Sequence, residues 1–233
     1  MTDTDDPSSP GAELHDWTPP ALPDPPDIRG RYVRLQRMDA DRDTDAIFAA
    51  TRDNPTLWDY MSIGPFDTAS QLRDWIYTAN RPDQIFYAFT AEGTDTPFGY
   101  AAFMRIDAPN GVLEIGHVMI GSDAQRSRAS SEALTLMIDW AFSAGYRRVE
   151  WKCNALNAAS RKAARRYGFT FEGIFRNHMI MKGRNRDTAW FSIIAAEWPG
   201  LSRAFADWLD PRNFDENGRQ KLRLSELTHS ALN

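Results

Sequence analysis

A single cysteine, Cys153, leaves this chain of 233 residues without an internal disulfide and fits a reducing compartment. Long apolar runs are missing as well, and none approaches the roughly 20 residues that a membrane span needs. The opening is acidic and proline-rich where a secretory leader would be basic and then apolar. Neither a signal peptide nor an anchor is expected, and the cytoplasm is the default compartment. Residues 1–27 contain no Lys or Arg, yet hold seven acids and seven of the fourteen prolines. With so little to bury, this stretch predicts a disordered or extended arm that ends near Ile28.

Beyond the arm, basic residues slightly outnumber acids, and the 42% apolar and 12% aromatic content of the whole chain suits one sizeable globular core. Residues 147–186 carry eleven Lys/Arg against only Glu150 and Glu172. Such a patch suits coenzyme phosphates or nucleic acid, or is simply solvated, and charge alone does not choose.

Periodicity divides 28–198 into alternating elements. A strand starts at Ile28 and runs to about Gln36. Helices follow at 40–51 and 68–80, with an aromatic loop (Trp58, Tyr60, Phe66) between them. Strand patterns cover 84–91, 98–106 and 112–120, with turns between them that predict hairpins. Then come a helix at 129–144, a strand at 148–153, a helix at 158–167 and two strands at about 169–182 and 187–195. A helix-like 201–209 leads into a polar tail, so 199–233 is expected to be a C-terminal helix and tail.

Two segments carry the chemistry. The first is a strand, a polar turn and a helix start, with Gln125-Arg126-Ser127-Arg128-Ala129-Ser130 at the turn. Backbone N–H groups at a helix start converge on one point at the positive end of the helix dipole, which suits a phosphate. The bland alternative is a Ser-capped helix with a solvated basic turn. The second segment is Asn157-Ala-Ala-Ser160 through Tyr167-Gly168-Phe169, a helix with Asn157 as a plausible N-cap. Arg161, Lys162, Arg165 and Arg166 form its basic face, opposite a stripe of Ala159, Ala163 and Tyr167. Gly116 inside the preceding strand pattern suggests a bulge.

Together these segments resemble the acetyl-CoA-binding signatures of the GNAT superfamily of N-acetyltransferases, over residues 28 to about 198. The look is that of the branch with the Rim-type enzymes, which acetylate ribosomal-protein N-termini. The resemblance implies an α/β (α+β) GNAT fold: a mixed central sheet of about seven strands, the fourth and fifth splayed, with flanking helices. It also implies direct acetyl transfer from acetyl-CoA to a primary amine, on a protein N-terminus or a small molecule, with no metal. The superfamily turn is Gln/Arg-x-x-Gly-x-Gly/Ala, and here Arg128 and Ser130 stand where small residues belong. That departure leaves open a degenerate acyl-CoA-binding or regulatory protein. A nucleic-acid role for the basic patch is the weaker alternative, because the aromatic stacking motifs of such modules are absent.

By the same resemblance, the coenzyme would lie on Val118, Met119 and Ile120 and on the turn from Gln125 to Ser130. Asn157 would contact the pantetheine. Tyrosine, the usual thiolate-protonating acid, is replaced by Ala164, and Ser160 matches a serine carried by Rim-type enzymes. Glu114, eleven residues before Gln125, has the spacing of the glutamate base of histone-type members. His117 is its rival if a bulge turns it inward, and His178 is a weaker one. Trp58, Tyr60 and Phe66 would wall the acceptor cleft, unless they are core residues. Asp187 reads as a turn residue and Cys153 as a buried strand residue.

Overall fold

The structure, a computed structural model, describes residues 13–25 and 27–233. Among these, one sheet of eight strands runs in the order β1-β2-β3-β4-β5-β6-β8-β7. The strands are β1 (Asp27–Arg29), β2 (Val33–Arg37), β3 (Gln84–Ala91), β4 (Pro97–Asp107), β5 (Val112–Ile120), β6 (Arg148–Asn154), β7 (Thr170–Met181) and β8 (Arg184–Ile194). All pairs are antiparallel except β5 and β6. The helices are α1 (Ala40–Thr51), α2 (Ala69–Ala79), α3 (Arg128–Ser143), α4 (Ala158–Arg166), α5 (Trp198–Leu209) and α6 (Leu224–Ala231). None is long and apolar enough to cross a membrane.

Burial patterns explain the layers. Nearly every residue of β3 is buried, because both of its faces are covered. Phe86 and Ala88 join Ile47, Leu72 and Ile76 under α1 and α2. Ile85, Tyr87 and Phe89 face the larger core with Met137, Ile138, Trp151 and Phe205, on the side of α3, α4 and α5. In β6 the pattern alternates instead: Val149, Trp151 and Cys153 are buried in that larger core. Glu150 and Lys152, on the other face, belong to neither apolar cluster. That face is left for the site.

Capping fixes the helix starts. Asp39 accepts from the Asp41 and Arg42 amides, Ser127 from Ser130 and Asn157 from Ser160, which satisfies otherwise orphaned N–H groups.

Four expectations are corrected. The strand read from Ile28 to Gln36 is a hairpin, broken at 30–32 by the buried carboxylate of Glu132 on α3. Glu132 accepts from the Arg31 and Tyr32 amides at 2.9 and 2.6 Å, and a Cβ on Gly30 would lie 2.4 Å from it. The extra edge strand makes eight, so the splayed pair is the fifth and sixth. The tail contains α6, which buries Leu224 and Thr228; the Thr228 hydroxyl donates to the Arg166 carbonyl at 3.2 Å. On α4 the expected stripe holds at Ala163 and Tyr167, but Ala159 is exposed and Ala164 is the buried residue within the helix.

Of the arm, residues 1–12 and Pro26 lie outside the described residues. Residues 13–25 form no helix or strand, yet they lie on the body. Trp17 Nε1 donates to the Pro109 carbonyl at 3.0 Å, Tyr146 to Ala21 at 3.1 Å and Tyr87 to Pro25 at 2.6 Å. Pro23 is buried, and Asp24 pairs with Arg37. At about 1 kcal/mol net for each lost hydrogen bond, a chain beginning at Ile28 should lose roughly 2–3 kcal/mol relative to one beginning at Glu13. Thermal unfolding of the two chains checks this, with an expected gap of about 5–10 °C; coincident melting curves would show that these contacts contribute nothing.

Candidate active site

The site begins where β5 and β6 part. Their parallel ladder joins Val112 to Arg148, Leu113 to Val149 and Glu114 to Glu150, and goes no further. From Ile115 onward the β5 edge facing β6 has no strand partner, so its N–H and C=O groups are open to a ligand. On the other edge Tyr100 pairs with Met119 but Ala102 pairs with Gly116, a bulge with His117 at φ 50°. The bulge suggested by Gly116 is therefore present. It turns the His117 ring onto Phe86, 5.3 Å away, on the same sheet face as Glu114. Val118 and Ile120 are half-buried and Met119 is buried.

The turn after β5 ends in the capped start of α3. Arg126 adopts a left-handed φ of 60°, and Ser127 Oγ accepts from the Ser130 amide at 3.1 Å. Among the described residues, the amides of Arg126, Arg128 and Ala129 donate to no protein group. This is the arrangement that binds an anion. Arg128 fits where a small residue was expected because its guanidinium lies over the Tyr32 and Phe214 rings, at 4.9 and 4.6 Å from their centroids. Ser130 is buried, its hydroxyl turned back to the Ser127 carbonyl at 3.1 Å. The exposed Gln125 side chain reaches the Ile120 carbonyl at 3.4 Å. A cleft of about 440 Å³ opens here, lined by Arg126, Ser127, Arg128, Arg166, Trp208 and Phe214.

Of the basic face of α4, Arg166 alone lines this cleft, where it donates to Ser131 Oγ at 3.2 Å and covers the Trp208 ring. Arg161 turns to the Ala155 carbonyl, and Arg165 covers Phe171 and Phe191. The basic stretch 147–186 is thus spread over several surfaces, with Arg147 over Trp17 and Lys152 buried.

At the opening between β5 and β6, Trp151 Nε1 donates to Ser160 Oγ at 2.9 Å. That bond uses an acceptor site of the hydroxyl and leaves its own hydrogen to donate elsewhere. Asn157 Oδ1 caps α4 on the Ser160 amide at 3.0 Å, leaving its Nδ2 uncommitted. Cys153 lies beside Ser160 in the core, and burial pushes its thiol up.

On the opposite side of the opening lies a charge ladder that pattern reading missed. Glu114, its side chain 6% exposed, stands 3.2 Å from Arg105 and 3.3 Å from Lys152. Neither contact is a well-aligned hydrogen bond. Lys152, equally buried, also pairs with Glu150 at 2.6 Å. Arg148 joins Glu150 at 2.9 Å to Glu172. Burial pushes the Glu114 carboxyl up, and Lys152 and Arg105 pull it part of the way back. The alternation of Arg148, Glu150 and Lys152 along β6 was the available signal. Gly116 keeps this corner open, since a Cβ there would lie 2.5 Å from Met104 Sδ and 3.0 Å from Glu114 Oε1.

The aromatic loop contributes less than expected. Trp58 is 3% exposed and packed in the smaller core, with Phe66 edge-on to it at 5.2 Å. Only Tyr60 is exposed, its hydroxyl 3.4 Å from the Leu156 carbonyl. Asp187 accepts from the Asn177 amide at 2.8 Å and from Asn185 at 3.0 Å, a turn-holding role that keeps its carboxyl low. His178 Nδ1 is 3.0 Å from Thr188 Oγ1.

Comparison with known proteins shows the family and the fold. Residues 33–170 match the family described as Acetyltransferase (GNAT) domain. The uncharacterized N-acetyltransferase p20 of Bacillus licheniformis is 32% identical over 173 residues, covering 72% of this chain and 96% of that protein. A GCN5-related N-acetyltransferase from Brucella melitensis superposes with a TM-score of 0.90 at 42% identity, covering 93% of this chain and all (100%) of that one. A protein described as a probable acetyltransferase (GNAT family) from Chromobacterium violaceum gives 0.79 at 36%, covering 83% and 99%.

His117 offers a test of the bulge. Burial, together with Arg81, Arg105 and Arg186, pushes its imidazole down to about 4 from 6.5. The unfolded chain takes up this proton near 6.5 and the folded chain only near 4, so stability is full above 6.5 and falls as pH drops through that window. The loss is up to about 3 kcal/mol. Denaturant unfolding of wild type and His117→Asn between pH 7 and 4.5 should show the difference between them shrinking with acid. Parallel pH profiles would mean that the ring is solvated in the folded state.

Proposed function

Because the chain belongs to the GNAT superfamily of acetyltransferases, we propose that it moves an acetyl group from acetyl-CoA directly to a primary amine within a ternary complex. The observation that carries this is the unpaired edge of β5 leading into the free amides at the start of α3. An extended pantetheine arm can bond the open backbone at 118–120, while its pyrophosphate meets the amides of Arg126, Arg128 and Ala129. Arg126, Arg128 and Arg166 add positive charge on the same cleft.

In this reading the thioester lies in the opening between β5 and β6. The amine approaches from the face of Glu114 and His117 and attacks the carbonyl carbon. Glu114 takes the proton from the incoming ammonium: burial raises its basicity, while Arg105 and Lys152 keep it charged. As the tetrahedral adduct collapses, the C–S bond breaks, and the second proton shed by the nitrogen reaches the departing sulfur through the Ser160 hydroxyl, whose oxygen is already engaged by Trp151. Asn157 Nδ2 and Tyr60 are left to contact the coenzyme arm and the acceptor. His117, neutral at neutral pH, is the competing base. Ser160 in the first turn of α4 supports a place beside the Rim-type enzymes, with a protein N-terminus or a small amine as acceptor, acting in the cytoplasm.

Release of free thiol from acetyl-CoA, followed across N-terminal peptides, amino acids, polyamines and amino sugars, tests the activity. Acetyl-CoA at ~100 times its Kd should add about 2.7 kcal/mol of stability. Binding without turnover on any amine would mark a regulatory coenzyme-binding protein instead. Glu114→Gln should lower turnover by about 10²–10⁴-fold, most severely at low pH, and Ser160→Ala should slow transfer with coenzyme affinity nearly kept. A loss under about threefold removes the residue from the chemistry, and a silent Glu114→Gln beside a crippled His117→Ala moves the base to the histidine.

A further inference from the structure

The ladder beside the site leaves one charge over. Arg105, Lys152 and Arg148 are matched by Glu114, Glu150 and Glu172, each carboxylate within ion-pair distance of at least one of these cations. Arg81, also near His117, has Asp83 at 3.6 Å. Arg186 on β8 has no carboxylate: it forms no ion pair among the described residues, its Nε is buried without an acceptor, and its one polar contact is with Met181 Sδ at 3.8 Å.

Its position follows from strand register. The last rung between β6 and β8 joins Asn154 to Thr188, and Arg186 lies two residues beyond on the same face, where β6 has ended. Nothing on β6 blocks the side chain from the opening between β5 and β6. There it is close enough to Glu114 and Arg105 to feel their charges, and it acts in turn on His117 and Cys153. A half-buried guanidinium with an unused donor beside a reacting centre lacks an oxygen acceptor, and one uncompensated positive charge suits one negative charge.

Building on the acetyltransferase reading, we infer that Arg186 anchors a carboxylate of the acceptor, so that the preferred substrate is a primary amine carrying a carboxylate a few bonds away. Two sources share this chemistry: the α-carboxylate of a free amino acid, and an Asp or Glu side chain near a peptide N-terminus. A guanidinium holds either through paired N–H donors, with the amine directed at Glu114. A polyamine, which brings only positive charge to this corner, is rejected.

The test compares matched pairs in acetyl-CoA turnover: amino acids against their amides, and peptides with Asp at the second position against the same peptides with Asn. Wild type should favour the carboxylate member of one pair type by roughly ten- to a hundredfold in kcat/KM, and the responding pair identifies the source. Arg186→Gln should raise KM for that member alone and close the gap, with kcat largely kept, and Arg186→Lys should retain part of the preference. If Arg186→Gln does not fold, the wild-type preference and its partial survival in Arg186→Lys still decide. Turnover indifferent to acceptor charge overturns the inference while leaving the enzyme reading intact. So does an equal fall in kcat for both members, which would put the guanidinium on the thioester oxygen. No turnover with any amine, despite bound acetyl-CoA, overturns the enzyme reading and this inference with it.

Discussion

Everything at this site depends on a parallel ladder that stops after Glu114 and Glu150. A β-strand edge without a partner is ordinarily a liability, because its N–H and C=O groups must find acceptors and donors. Here the parting occurs in the middle of the sheet, with α3 and α4 packed beneath it. The exposed backbone therefore lines a slot, and the two helix starts at its end aim their free groups into the same slot. Strand pairing elsewhere is regular enough to hold the gap open: β4 secures the far edge of β5 and β8 the far edge of β6.

The parting also separates two chemical environments. On the side of α3, α4 and α5 the residues around Ser160 are Trp151, Cys153 and Tyr167, apolar and tightly packed. On the other side the strands present Arg105, Glu114, Lys152 and Glu150, alternating in sign across three strands. Such a ladder contributes little net stability by itself, since desolvation offsets much of the attraction. Its effect is to hold a buried carboxylate in one place with its charge neutralised from two directions.

Much of this architecture was legible in the sequence. Helix α1 and strands β3 and β5 fall where periodicity placed them, and Gly116 announced the bulge. Contacts between distant segments were not legible. Nothing local to Gly30 shows that Glu132, a hundred residues later, breaks the first strand. Arg128 looked too large for its turn until Tyr32 and Phe214 supplied rings to hold it. Trp58 and Phe66 carry no local sign that they fill a core instead of lining a cleft, because an aromatic loop over a helix pair reads the same either way. Helix α6 was hidden by polar surroundings, with only Leu224 and Thr228 fully buried and Leu227 and Ala231 partly so.

The rings that hold Arg128 come from opposite ends of the domain, one before α1 and one after α5. An anion at the α3 turn and the segment around Phe214 therefore compete or cooperate for the same guanidinium. Linkage is reciprocal: whatever free energy the docked tail adds to anion affinity, the anion returns to tail docking. With the coenzyme placed as proposed, amide exchange near residues 211–214 would follow how full the cleft is, because Phe214 shares the Arg128 guanidinium with the bound anion.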